Sequence, residues 1–164
     1  MKNWLRLTLV VATVGGGFAG FSMTAAAIFS PQSHGSTTLF YALIAALYLF
    51  VLISGLVFIH NPARTTPILI AMVIQIPVVS SPIIVYQFAA GLLVVVAVNL
   101  SDPGVSGTIR FGYQCQLFFL QATSWSAGIN IFAAVLAVLL LKQPRKTKTE
   151  QLVATAPPLN NESR

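Results

Sequence analysis

Site chemistry usually starts from charged, metal-ligating or nucleophilic side chains. Between Arg6 and Lys142 this sequence offers only Arg64, Asp102 and Arg110 as charged residues. Ser80, Ser81, Ser124 and Ser126 supply hydroxyls, but no histidine or carboxylate falls near them in the chain to act as a base. Cys115 is the only cysteine, so a dithiol redox pair and a multi-cysteine metal site within one chain are excluded. His34 and His60 lie in separate connecting segments and do not form a ligand set. The sequence therefore predicts no enzyme and no cofactor or metal.

The polar groups that remain in the apolar stretches are neutral. Gln75 and Gln87 lie in one stretch, Thr123 and Asn130 in another. Such groups stabilise helix contacts in lipid by hydrogen bonds of about 0.6 to 2 kcal/mol, or they line a polar path. Counted at about 1.5 Å per residue, Asn130 falls roughly 18 Å from Lys142, and Gln87 falls at a similar depth from the other side. A Gln87–Asn130 pair near the middle of a bilayer is one expectation; contact with a solute is the other.

The elements that must position these groups follow from composition. The chain is 56% hydrophobic and 7% charged with a mean hydropathy of +0.83, whereas soluble domains carry about 25% charged residues. Four apolar runs, Leu7 to Phe29, Leu39 to Ile59, Ile68 to Val98 and Leu117 to Leu141, each have the length of a membrane span. The runs show no period-two alternation, so the fold expected is all-α, a four-helix transmembrane bundle occupying residues 1–141. Connections rich in Gly, Pro, Ser and Asn separate the spans, the longest from Asn99 to Gln116.

Within the first run, Thr8, Ala12, Gly16, Gly20 and Thr24 place a small residue at every fourth position and line one helix face. That face suits close helix packing, within the chain or between copies, and a backbone-lined path is the third option. The third run is too long for a straight helix, at roughly 50 Å against a hydrocarbon core of about 30 Å. Pro77 and Pro82 are the expected kinks, with Gln75, Ser80, Ser81 and Gln87 re-satisfying freed carbonyls or forming a discontinuous-helix binding site. In the fourth run Gln116, Thr123 and Asn130 recur every seven residues, which as a helix keeps one seam toward a partner.

Net charge is +6, carried mainly at the chain ends. Lys2, Arg6, Arg64 and the cluster Lys142, Arg145, Lys146 and Lys148 fall on one side of a four-span arrangement, which places both termini in the cytoplasm. Anionic lipid headgroups are the partner expected for the basic segment; nucleic acid is not. Residues 142–164 read as a basic and then disordered cytoplasmic tail. Short loops favour a bacterial plasma membrane. A rival reading makes the N-terminal run a signal peptide cleaved after Ala25-Ala26-Ala27, leaving fewer spans. Function is then expected to be that of a small structural, assembly or regulatory subunit, alone or in a larger membrane complex. The alternative is an oligomeric passive channel or transporter subunit for a small solute, not coupled to protons, since no charged residue lies within a span.

Overall fold

A computed structural model describes residues 3–30, 35–120 and 124–143. Helix α1 spans Asn3–Ile28, with a π-turn at Val11–Gly15. Helix α2 is Ser36–His60 and α3 is Thr66–Ile74. Four strands follow, β1 Pro77–Ser80, β2 Ile84–Asn99, β3 Gly104–Phe119 and β4 Ser126–Asn130, and α4 closes the described chain at Ile131–Leu141.

The fold is thus mixed α/β, not the all-α bundle expected. Among the described residues only α1 and α2 are long and apolar enough to cross a membrane. The run from Ile68 to Val98 is not a kinked helix. Pro67 starts α3 within its first turn, where its missing N–H costs nothing, and the helix stops at Ile74. Pro77 opens β1 and Pro82 sits in the β1–β2 turn, so the two prolines mark element boundaries instead of bending one helix. Between and after them the β-branched residues Val78, Val79, Ile84, Val85 and Val94 to Val96 favour the pleated conformation. The expected fourth span, Leu117 to Leu141, is likewise divided among the end of β3, β4 and α4. The expected Asn99–Gln116 loop is mostly strand β3.

Helices α1 and α2 form an antiparallel hairpin in which small residues of one helix meet the other. Gly17 lies over Leu52, Gly20 over the Tyr48 ring, and Gly55 over Thr13. Arg6 donates a hydrogen bond of 3.3 Å to the Ile59 carbonyl, placing a cation at the C-terminus of α2 where the helix dipole favours it. At one end of this hairpin Leu5, Leu9 and Phe58 share a buried cluster with Ile68 and Met72 of α3 and Leu136 of α4.

All strand pairings are antiparallel, in the order β1-β4-β2-β3 with β1 also paired to β2. This has a geometric consequence. The start of β2 runs opposite to β1, β1 runs opposite to β4, and β4 runs opposite to the end of β2. The two ends of β2 therefore run in opposing senses, and β2 must fold back, carrying β3 with it along its whole length. The bend is marked by Gly91 and Gly112, paired across the two strands at φ +98° and +101°, a conformation that only glycine adopts without strain. At this bend α1 crosses β2. Ala12 and Gly16 touch the backbone of Ala90 and Gly91, and a Cβ on Gly91 would lie 2.7 Å from the Ala12 Cα.

Candidate functional site

The folded ribbon makes a half-barrel, and the register shows how its faces differ. One row across the sheet reads Gln116, Gln87, Val78, Gly128, Ala97 and Ser106, each paired with the next. The adjacent row, which faces the other way, reads Leu117, Tyr86, Val79, Ala127, Val98 and Val105. The first face is the inner one, because Ala89, Leu93 and Val95 from both sides of the bend pack together with Val78 and Ala97. It is neutral and polar toward its margins, where Ser80, Gln87, Gln114, Gln116 and Ser106 lie. Arg110 shares this face and donates a 3.2 Å hydrogen bond to Gln114 Oε1.

The outer face is apolar throughout but has two environments. On the first arm Tyr86, Phe88, Ala90 and Cys115 pack against Ile44, Tyr48 and Val51 of α2. The Tyr48 ring packs against Phe88 at a tilt of 49° with centroids 4.8 Å apart and meets Tyr113 edge-on at 6.3 Å. On the second arm no described residue covers the same face of β3: Val105 is 75% exposed, Ile109 67% and Phe111 84%. The outer face is thus apolar, and the inner face is apolar at its centre and polar only toward its margins.

At the bend, residues 88–94 of β2 have neither β1 nor β4 beside them. Two side chains take the place of a neighbouring strand. Gln75, fully buried at the end of α3, accepts the Ala90 N–H at 2.7 Å and donates to the Ala71 carbonyl at 2.9 Å. Asn130, buried where β4 becomes α4, accepts the Val94 N–H at 3.2 Å through Oδ1, while its own N–H donates to the Ile76 carbonyl at 2.8 Å. The Val94 donor fixes which Asn130 atom is oxygen, and it leaves Nδ2 buried without a partner. Tyr86 Oη donates to the Ile74 carbonyl at 2.7 Å, satisfying an end carbonyl of α3.

The residues singled out in the sequence fall into separate places. Ala12 and Gly16 meet the strand bend, Gly20 meets Tyr48, and the Thr24 hydroxyl donates back to the Gly20 carbonyl at 2.7 Å. Gln75 and Asn130 hold the bend. Gln87 lies on the inner face of β2 in register with Val78 and Gln116, whereas Asn130 is in register with Val95 past the bend, and no Gln87–Asn130 hydrogen bond is present. Gln116 and Asn130 are on strands, so they form no helical seam. Lys142 follows the last turn of α4. Thr123, Arg145, Lys146, Lys148 and His34 lie outside the described residues.

Sequence reading passed over Ser106, Arg110, Gln114 and the edge they occupy. The signal was present: from Val105 to Leu117 the residues at odd positions are Val, Gly, Ile, Phe, Tyr, Cys and Leu, while those at even positions are Ser, Thr, Arg, Gly, Gln and Gln. That is the period-two pattern of a strand with one apolar face. The chain matches no family model, no curated protein and no solved structure.

Proposed function

We propose that this chain is a small integral membrane subunit that assembles with other membrane chains, and that the second arm of its half-barrel is the surface it assembles through. The observation carrying this reading is the β3 arm at Gly104–Phe111, apolar on its outer face and, among the described residues, paired to no strand but β2. Unpaired backbone facing hydrocarbon costs several kcal/mol per group, so an edge at that depth requires a covering chain. The dimensions suit a bilayer. Helix α3 followed by β1, and β4 followed by α4, would each reach roughly 30 Å at helical and strand rises, the thickness of the hydrocarbon core. With α1 and α2 they give four crossings, two of them half helix and half strand, and the basic ends of the chain on the cytoplasmic side of a bacterial plasma membrane.

A second reading rests on the inner face. Gln116 and Gln87 at one end and Ser106 at the other flank the apolar centre of one inward-facing row, and an oligomer that brought such polar margins together would enclose a passive path for a small neutral solute.

Crosslinking in native membranes followed by affinity capture and mass spectrometry tests the assembly reading. Recovery of foreign membrane subunits, or of defined oligomers of this chain, supports it; a chain recovered alone at every crosslinker concentration refutes it. Labelling of a Gln87→Cys variant by a membrane-impermeant thiol reagent would move the assignment toward the conduit.

A further inference from the structure

We infer that the chain covering the open β3 arm carries a carboxylate within the membrane, and that Arg110 is the residue that pairs with it. This rests on the assembly reading and states the chemistry of the partner. The first observation is depth. Arg110, expected in a loop, lies on β3 and pairs in register with Leu93, next to the Val94 whose N–H Asn130 accepts. Asn130 is the junction of β4 and α4. In the four-crossing arrangement it stands about 18 Å from Lys142 at helical rise and about 13 Å from Ser126 at strand rise, and Arg110, two strands over, shares that level. A cation at such depth is costly and is kept where it has a partner.

The second observation is the company Arg110 keeps. It is exposed, and its hydrogen bond is to a neutral group, Gln114 Oε1, reached across the bend at Gly112. Asp102, the only carboxylate among the described residues, sits in the turn before Gly104, roughly 20 Å from Arg110 along the strand. The chain thus carries a charge to the middle of the bilayer without the counter-charge for it.

The third is the open edge beside it. Among the described residues β3 pairs with β2 alone, and Ile109 and Phe111, flanking Arg110 on the opposite face, are bare. Whatever covers this edge meets apolar side chains on one face and a guanidinium on the other. An apolar segment with one Asp or Glu at that level satisfies both, since a carboxylate accepts two hydrogen bonds from arginine and each charge offsets the burial of the other. A second copy does not satisfy them: in the same membrane orientation it brings Arg110 level with Arg110 and leaves its Asp102 at the outer end. Lipid phosphates do not either, because headgroups begin roughly 15 Å from the middle of a hydrocarbon core of about 30 Å, and Arg110 is turned toward Gln114.

The test uses the full chain in native membranes, with a photoreactive benzophenone amino acid incorporated at Thr108, the exposed neighbour of Arg110 on the inner face of β3. The expected adduct, identified by mass spectrometry, joins this chain to a membrane protein whose crosslinked span contains an Asp or Glu. Arg110→Gln should lower its yield about tenfold, and Arg110→Lys should keep most of it. Gln114→Glu supplies a carboxylate within the chain, at the atom that already accepts from the guanidinium, and should lower the yield by a similar factor. Arg110→Glu should abolish the adduct, and exchanging the partner's acid for arginine should restore it. Equal membrane abundance of the variants, measured in parallel, separates lost pairing from lost folding.

An adduct with a span that lacks an acid, with a second copy or with lipid alone overturns the inference, as does the absence of any adduct or a yield that Arg110→Gln leaves unchanged. In each of these cases the assembly reading stands if affinity capture still recovers partners. If capture recovers the chain alone, both fall.

Discussion

The two arms of the β2–β3 ribbon share strand pairing, alternation and length but differ in everything that touches them. On the arm before the bend, the outer face is buried by α2, the Tyr48 and Phe88 rings pack in a tilted pair, and Cys115 is drawn into the core. Past the bend the same apolar face is bare. The difference teaches that apolar alternation makes a strand but does not decide what covers it. A helix of the same chain covers one arm, and among the described residues none covers the outer face of β3 on the other.

The bend that separates the arms is where the comparison is most easily broken. Gly91 and Gly112 have nearly the same φ but different surroundings. Gly91→Ala adds a collision with Ala12 to the conformational strain, and should destabilise the fold by about 3 kcal/mol or more. Gly112→Ala has nothing within 4 Å of the new methyl, so strain acts alone and the loss should be about 1–2 kcal/mol. Unfolding by SDS in mixed micelles, followed through Trp4 and Trp125 fluorescence, would rank the pair. Equal losses would show that packing against α1 contributes nothing.

The next effect down concerns the side chains that stand in for a missing strand. Gln75→Leu leaves the Ala90 N–H buried without an acceptor, at about 1–3 kcal/mol. Asn130→Leu orphans the Val94 N–H but also removes a buried amide hydrogen that had no partner. Its loss should therefore be the smaller of the two in the same assay. The reverse order would mean that Asn130 Nδ2 is satisfied in the membrane.

The smallest expected effect separates the two edges of β3. Because Val94 turns its N–H to Asn130, its register partner Ile109 points its own N–H away from β2, so Ile109→Pro removes no bond to β2 and should change the stability of an isolated chain in detergent by less than about 1 kcal/mol. Thr108→Pro removes an inward bond and should cost clearly more.

How much of this was legible before the structure depends on the residue. The small-residue series from Ala12 to Thr24 could be read as a packing face because helical periodicity is local, but its principal contact, Gly16 against Gly91, joins a helix to a strand and no local pattern announces it. Pro77 and Pro82 were legible as interruptions, yet whether a proline bends a helix or starts a strand depends on what the next residues can pair with. The third run misled because β2 packs both faces before the bend, which removes the alternation that distinguishes strand from helix. Strand β3, with one face polar, kept the alternation, and its glycines and threonine only disguised it as a loop.

The sequence by itself determined the apolar composition, the first two helical runs among the four expected, the basic ends and the scarcity of charge. These are sums and local periods, and they need no knowledge of neighbours. Only the tertiary structure decided that Ile68–Val98 and Leu117–Leu141 are shared between helix and strand. Strand formation is a contract between distant segments: β1 exists because β4 and β2 are there to take its hydrogen bonds, and Gln75 and Asn130 matter because the fold brings them to the one stretch of β2 that no strand reaches.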